Sequence, residues 1–246
     1  MAATLADGIS KLKNCAIEPE VVDLINFLNK CGANIKVKNR TITIKGVEEL
    51  NLEDYKVIPD RIEAGSYILA TMATKGRLRL NNFNPNDLTF PLKIYQDMGL
   101  KIKKISNTSY EFNCKRLKPI KKISTKEYPG YPTDLQAQLI ATQLKSALKS
   151  KVVENIFENR FIHIPELRRF GANLSIIGKT VTIHKTSNLF GAEVMATDIR
   201  ASFSLIIAAM MSKGTTVINR IYHLDRGYED FDLKLKKCGV NISRKK

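Results

Sequence analysis

The chain has 246 residues, 43% of them hydrophobic, with a formal net charge of +16. That length suits one large or two small domains, and the hydrophobic share excludes a disordered chain. No apolar run approaches the ~18 residues that span a bilayer, and the opening MAATLADGIS lacks a basic-then-apolar leader pattern, so neither a membrane span nor a secretory signal is read.

In chain order, MAATLADG reads as the tail of a helix ending at Gly8. VVDLINFLNKCGANIKV, from Val21, reads as an amphipathic helix, a glycine stop at Gly32 and a strand, and RTITIKG alternates as a strand with one exposed face. PDRIEAGSYILATMATKGRLRLNN, from Pro59, predicts a helix opening at Asp60, a small residue (Gly76) ending it and a short strand. FPLKIYQDMGLKIKKI, from Phe90, repeats the helix, glycine (Gly99) and strand pattern. PTDLQAQLIATQLKSALKSKVVEN, from Pro132, predicts a helix opening at Asp134, with Ser150 at its end and a strand after it. IPELRRFGANLSII and KTVTIHK give a helix, Gly171 and two strands. ATDIRASFSLIIAAMMSKGTTVIN, from Ala196, predicts a buried helix opening at Asp198 and a strand past Gly214, and DFDLKLKKCGVNIS gives a helix, Gly239 and a strand.

These segments are copies of one unit. Aligned on Asp60, Asp134 and Asp198, they place Gly76, Ser150 and Gly214 at one fixed interval and Asn81, Asn155 and Asn219 at another. The glycines of the second helix, Gly32, Gly99, Gly171 and Gly239, recur about every 70 residues, too long for an ankyrin-type solenoid. Each unit reads β-α-β-α-β-β, which makes the fold class α+β. The first unit lacks its incoming strand and half its helix, so the chain is expected to be an N-terminally truncated copy that begins inside a repeat.

The chemistry is expected at the starts of the three long helices. Asp60, Arg61 and Glu63, then Thr133 and Asp134, then Thr197, Asp198 and Arg200 gather there. Unsatisfied N–H groups and a partial positive charge at such ends favour phosphate or carboxylate, although Asp and Thr also serve there as ordinary caps. HLDRGYED adds Arg226, and IFENRFIHIPE adds Glu158, Arg160 and His163. His163 and His184 are read as structural. Cys15, Cys31, Cys114 and Cys238 form no C-x-x-C pair, so no zinc site or disulfide framework is expected and a reducing cytoplasm fits. Cys31 and Cys238, each before a repeat glycine, read as packing residues. KIKKIS and KRLKPIKK carry no interleaved aromatics. The basic excess therefore reads as compositional bias with an attraction for small anionic substrates, not as a nucleic-acid surface.

YPGYPTDLQAQ, FENRFIHIPELRRFGA, GAEVMATDIRAS and RIYHLDRGYED closely resemble the bacterial UDP-N-acetylglucosamine enolpyruvyl transferase family, and EPEVVDLINFL and PDRIEAG fit it too. The resemblance covers essentially the whole chain. It implies an inside-out α/β barrel in which two domains of three β-α-β-α-β-β units aim helix N-termini into a shared cleft. Carried over, residues 1–57 are the remnant of the last unit of one domain. Residues 58–246 form the other, with repeats at about 58–116, 117–190 and 191–246. The implied reaction moves enolpyruvyl from phosphoenolpyruvate to the 3′-hydroxyl of UDP-N-acetylglucosamine by addition and elimination, in the cytoplasm, at the start of peptidoglycan synthesis. The resemblance makes Asp134 the general base on the sugar hydroxyl and puts Asp198 beside the reacting carbon. Arg200 and Arg226 fall on the phosphoenolpyruvate carboxylate, Ile156 on the nucleotide sugar, and Thr133, Arg160 and Asp60 among the other substrate-binding residues of the cleft. It requires no metal or other cofactor, no nucleic acid and no membrane. The family's proton-donating loop has no counterpart here. Turnover is therefore expected only with the missing N-terminal half, in association with it; the alternatives are a non-catalytic remnant that binds anionic ligands and a basic nucleic-acid-binding module. Residues 1–57 are expected to leave a sheet edge and apolar helix face uncovered, making them the more mobile part or a site of self-association.

Overall fold

Residues 1–146 and 148–245 are described in the computed structural model, and they divide at Pro59 into two units. The smaller holds β1 (Ile9–Lys13), α1 (Pro19–Lys30), β2 (Asn34–Lys38) and β3 (Thr41–Lys45). The strands form an antiparallel sheet in the order β1-β3-β2. Alternation in β3 turns Ile42 and Ile44 onto Ile25 and Leu28 of α1, with Ile35, to make a small core. α1 ends as its sequence dictates. Gly32 takes φ +100°, the Gly32 N–H donates to the Asn29 carbonyl and the Ala33 N–H to the Leu28 carbonyl, a glycine-terminated helix cap. The leading segment departs from expectation: Ala2–Leu5 is a single 3-10 turn, closed by Thr4 N–H to the Met1 carbonyl. Within this unit β1 pairs only with β3, and its Ile9 and Leu12 are exposed.

The larger unit repeats one pattern. First come α2 (Arg61–Ala73), β4 (Arg77–Leu80), α3 (Thr89–Asp97), β5 (Lys101–Lys104) and β6 (Tyr110–Asn113). Next are β7 (Lys122–Ser124), α4 (Gln136–Gln143), β8 (Ser150–Val153), α5 (Ile164–Arg169), β9 (Leu174–Ile177) and β10 (Thr180–Ile183). Last are β11 (Glu193–Met195), α6 (Ile199–Met211), β12 (Val217–Asn219), α7 (Tyr222–Asp225) and α8 (Phe231–Lys237). The sheets run β4-β6-β5, β7-β8-β10-β9 and β11-β12, and the incoming strands β7 and β11 lie parallel to β8 and β12. The repeated asparagines lie at the end of β12 and just past the ends of β4 and β8. Asn155 and Asn219 tie β8 and β12 to their incoming strands, through the Thr125 carbonyl and Glu193; Asn81 instead accepts from Ser109.

The three equivalent helices α2, α4 and α6 pack on one another at the centre, with the sheets outside. α4 is buried along its whole length and α6 from Ala201 to Ala208; α6 is apolar there but for Ser202 and Ser204, whereas α4 buries Gln136, Gln138, Thr142 and Gln143. Gly65 lets α2 and the turn before α4 approach. A Cβ there would lie 2.6 Å from Leu135 Cδ1 and 3.0 Å from Cδ2, on a side chain with no exposed surface. Gly65→Ala gains about 1 kcal/mol in helix propensity, but overpacking this close costs about 1–3 kcal/mol. We expect net destabilisation, seen as a lower urea midpoint; an unchanged or higher midpoint refutes it.

The structure corrects several readings. Asp134 does not open α4; it sits in a 3-10 turn, Thr133–Leu135, one turn earlier. The left-handed residue after α2 is Lys75, φ +55°, with Gly76 leading into β4, and Ser150 begins β8 instead of ending α4. β10 is buried at Val181, Thr182 and Ile183 in succession, so both of its faces are covered and neither is exposed as its alternation suggests. No strand follows Gly239 among the described residues. β5 and β9 are each paired with the strand that comes next, whereas residues 240–245 pair with no strand among the described residues. Cys31 is buried as expected, whereas Cys238 is exposed.

No described helix is long and apolar enough to cross a membrane. Residues 1–59 hold eight Lys or Arg against eight Asp or Glu, so the whole +16 excess belongs to the larger unit.

Candidate active site

The starts of the three central helices meet at one end of the bundle. Asp60 caps α2, its Oδ1 accepting from the Ile62 and Glu63 N–H groups at 2.7 and 3.0 Å. Asp198 caps α6 likewise, accepting from the Arg200 and Ala201 N–H groups at 2.8 and 2.7 Å. Asp134, equivalent in sequence, caps nothing. Its carboxylate instead takes Arg160 Nη2 at 2.5 Å and lies 3.8 Å from Arg200 Nε. Two of the aspartates thus spend an oxygen on backbone amides, and the third turns its whole carboxylate towards arginines of the other segments.

Arg200 is the hub. Its Nη2 is 3.5 Å from Asp60 Oδ2, its Nη1 donates to the Gly227 carbonyl at 3.5 Å, and its guanidinium lies 5.5 Å from the Tyr228 ring centre. Burial disfavours its charge, but Tyr228, Asp60 and Asp134 outweigh that and hold it protonated more firmly than a free arginine. Beneath it the Tyr228 hydroxyl bonds Ser66 Oγ of α2 at 2.9 Å and Gln138 Nε2 of α4 at 3.2 Å, so all three central helices anchor this side chain. Gly227 is required at the contact, since a Cβ there would lie 2.2 Å from Ile199 Cγ2.

Arg160 arrives from the loop after β8. Its Nη1 donates to Thr133 Oγ1 at 2.8 Å, and its guanidinium lies over the Phe157 ring at 4.8 Å. Contacts therefore join Asp60, Thr133, Asp134, Arg160 and Arg200. Ile156 is half-buried, its N–H donating to Glu154. Asp198 shares the α6 start with Arg200, and its Oδ2 has no hydrogen bond among the described residues. Arg226 stands apart. It is exposed, has no ion pair among the described residues, and lines a cleft of about 580 Å³ with Tyr228, Asp232 and Arg244, next to the Gly227 that touches Arg200. Glu63 is fastened to Lys234 of α8 at 2.9 Å, and Arg61 is buried against Tyr128, so both serve the scaffold. The sequence reading missed Glu154, Ser66, Gln138 and Tyr228. Tyr228 lies within HLDRGYED, where the arginine drew attention, and Glu154 immediately precedes a repeated asparagine. Among the described residues no three or more His, Cys, Asp or Glu are grouped to hold a metal ion.

His163 immediately precedes α5 and is structural in its setting: it is 1% exposed, with both ring nitrogens unpaired among the described residues. Burial, and then the nearby Arg160 charge, push its pKa down to about 3. The folded chain thus binds no proton here where the unfolded chain, titrating near 6.5, does. This contribution to stability is intact above pH 6.5 and shrinks as pH falls towards 3, by about 1.4 kcal/mol per pH unit. His163→Phe is expected to remove that slope. Urea midpoints at pH 7 and pH 5 for parent and variant check it, and equal pH losses in both would refute it.

Comparison with known proteins puts a family to this arrangement. The profile described as EPSP synthase (3-phosphoshikimate 1-carboxyvinyltransferase) matches residues 1–235, and the chain belongs to that family. Its fold is that of the enolpyruvyl transferases: the enolpyruvyl transferase NikO of Streptomyces tendae aligns with a TM-score of 0.86 at 25% identity, over 98% of this chain and 58% of that one. EPSP synthase from Acinetobacter baumannii, 16% identical with a TM-score of 0.74 over 100% of this chain and 60% of its own, shares the fold. Among curated relatives, UDP-N-acetylglucosamine 1-carboxyvinyltransferase of Pelagibacter ubique is 49% identical over 99% of this chain, and that of Bartonella henselae 48% over 99%. The chain spans 58% and 57% of the length of these two relatives.

Proposed function

We propose that this chain supplies the sugar-deprotonating and carboxylate-binding side of an enolpyruvyl transfer from phosphoenolpyruvate to the 3′-hydroxyl of UDP-N-acetylglucosamine, in the cytoplasm, for peptidoglycan synthesis. One observation carries the reading: Asp134, alone of three equivalent aspartates, withholds its carboxylate from the backbone and is aimed by two arginines. A base held that way takes the hydroxyl proton as the sugar oxygen attacks C2 of phosphoenolpyruvate, and it contributes through its fixed position. Thr133 and Ile156 line the sugar. Arg200 and Arg226 take the substrate carboxylate, and the open Asp198 oxygen faces the carbon that becomes a tetrahedral ketal before phosphate leaves. The positive excess confined to the larger unit draws both anionic substrates to it. Protonation of the phosphoenolpyruvate methylene needs a donor that these residues do not supply. Turnover accordingly requires the part of the fold carried by the remaining length of the relatives, on the same polypeptide or a separate one.

Calorimetric titration with UDP-N-acetylglucosamine, and phosphate release with both substrates, test this. We expect sugar-nucleotide binding by this chain, no release by it alone, and release once the unmatched part of the Pelagibacter relative is added. Absent binding and absent complementation would refute the transferase reading. Release by the chain alone would refute the requirement for a second part. Salt-sensitive binding of DNA or RNA in place of the nucleotide sugar would favour a basic binding module.

A further inference from the structure

Glu154, at the end of β8, is 2% exposed, deeper than any other Asp or Glu among the described residues. A buried carboxylate persists only where donors answer its lone pairs, and here four do, from three segments. Oε1 accepts from Thr125 Oγ1 at 2.9 Å and from the N–H groups of Ile156 and Phe157 at 2.8 and 3.1 Å. Oε2 accepts from Thr133 Oγ1 at 2.8 Å. Because Glu154 can only accept, the Thr133 proton must point to it. That leaves a Thr133 lone pair for Arg160 Nη1 at 2.8 Å, and the other arm of the same fork, Nη2, holds Asp134 at 2.5 Å. The hydroxyl direction chosen by Glu154 thus reaches the Asp134 carboxylate in two steps, while the same carboxylate pins the backbone of the loop that carries Arg160.

We propose that Glu154 is a positioning residue for the nucleotide-sugar site, setting Thr133 and the 156–157 backbone so that Arg160 holds Asp134 in its working direction. This rests on the reading of Asp134 as the sugar-facing base. Glu154→Gln has the same shape and keeps an oxygen for Thr125, Ile156 and Phe157, but presents an amide N–H to Thr133, whose oxygen must then accept from two donors. The full chain is tested by calorimetric titration with UDP-N-acetylglucosamine and, without ligand, by NMR exchange of the Arg160 guanidinium protons. Expected are a parent-like melting temperature, an affinity about tenfold weaker, and faster Arg160 exchange. Thr133→Val should give the same losses, without adding to Glu154→Gln in the double variant. A purely structural Glu154 would lower the melting temperature and leave affinity and exchange alone, which overturns the proposal. If the parent chain does not bind the sugar nucleotide, the transferase reading fails, and Arg160 exchange alone then decides for or against Glu154. Should Glu154→Gln not fold, Thr133→Val decides through the same two readouts, with parent-like values overturning the proposal.

Discussion

Arg200→Leu is expected to weaken phosphoenolpyruvate binding about a hundredfold, or roughly 3 kcal/mol. Two effects act together. The variant loses a planar donor fork suited to a carboxylate, and it leaves Asp60 and Asp134, both now facing Arg200, without the cation between them and an incoming anion. Arg200→Lys keeps the charge without the fork and should fall between, near tenfold. Titration of parent and variants with phosphoenolpyruvate, each verified as folded by circular dichroism, checks the expectation. A folded Arg200→Leu variant that binds within threefold of the parent would exclude Arg200 from the carboxylate site.

The largest stability effect is expected from Phe203→Ala, a loss of about 3–5 kcal/mol from a total that for a domain is about 5–15 kcal/mol. Phe203 has no exposed surface. It stacks on Tyr228 at 4.6 Å between ring centres and meets Tyr67 edge-on at 5.4 Å. The cavity would open in the middle of α6, under the ring that supports Arg200, so the site should loosen along with the fold. Urea unfolding followed by the near-ultraviolet signal of the buried tyrosines reads it. We expect a lower midpoint with an unchanged slope. A loss below about 1.5 kcal/mol would mean that the neighbours collapse into the space.

The repeat was legible because its marks are local. A glycine just past a helix adopts the left-handed conformation whatever lies elsewhere in the chain, and Gly32, Gly99, Gly171 and Gly239 all do. The apolar run of α6 could only be buried, and its buried length fits a helix enclosed by α2 and α4. Local marks also misled. Gly76 resembles the other stops, yet Lys75 takes the left-handed turn, and Cys238 copies the position of Cys31 without its burial.

By itself, then, the sequence determined the repeating unit, the helix ends and the set of charged residues near them, because each follows from backbone geometry and apolar periodicity within a few turns of chain. Which aspartate caps and which one bridges was decided only in three dimensions. The Arg160 to Asp134 bond joins residues 26 apart, and the Arg200 to Asp60 contact joins residues 140 apart. Asp60 and Asp198 meet free amides at their helix starts and bond them. Asp134 sits a turn before α4 and bonds no amide there, and two arginines, one from later in its own repeat and one from the next, claim its charge.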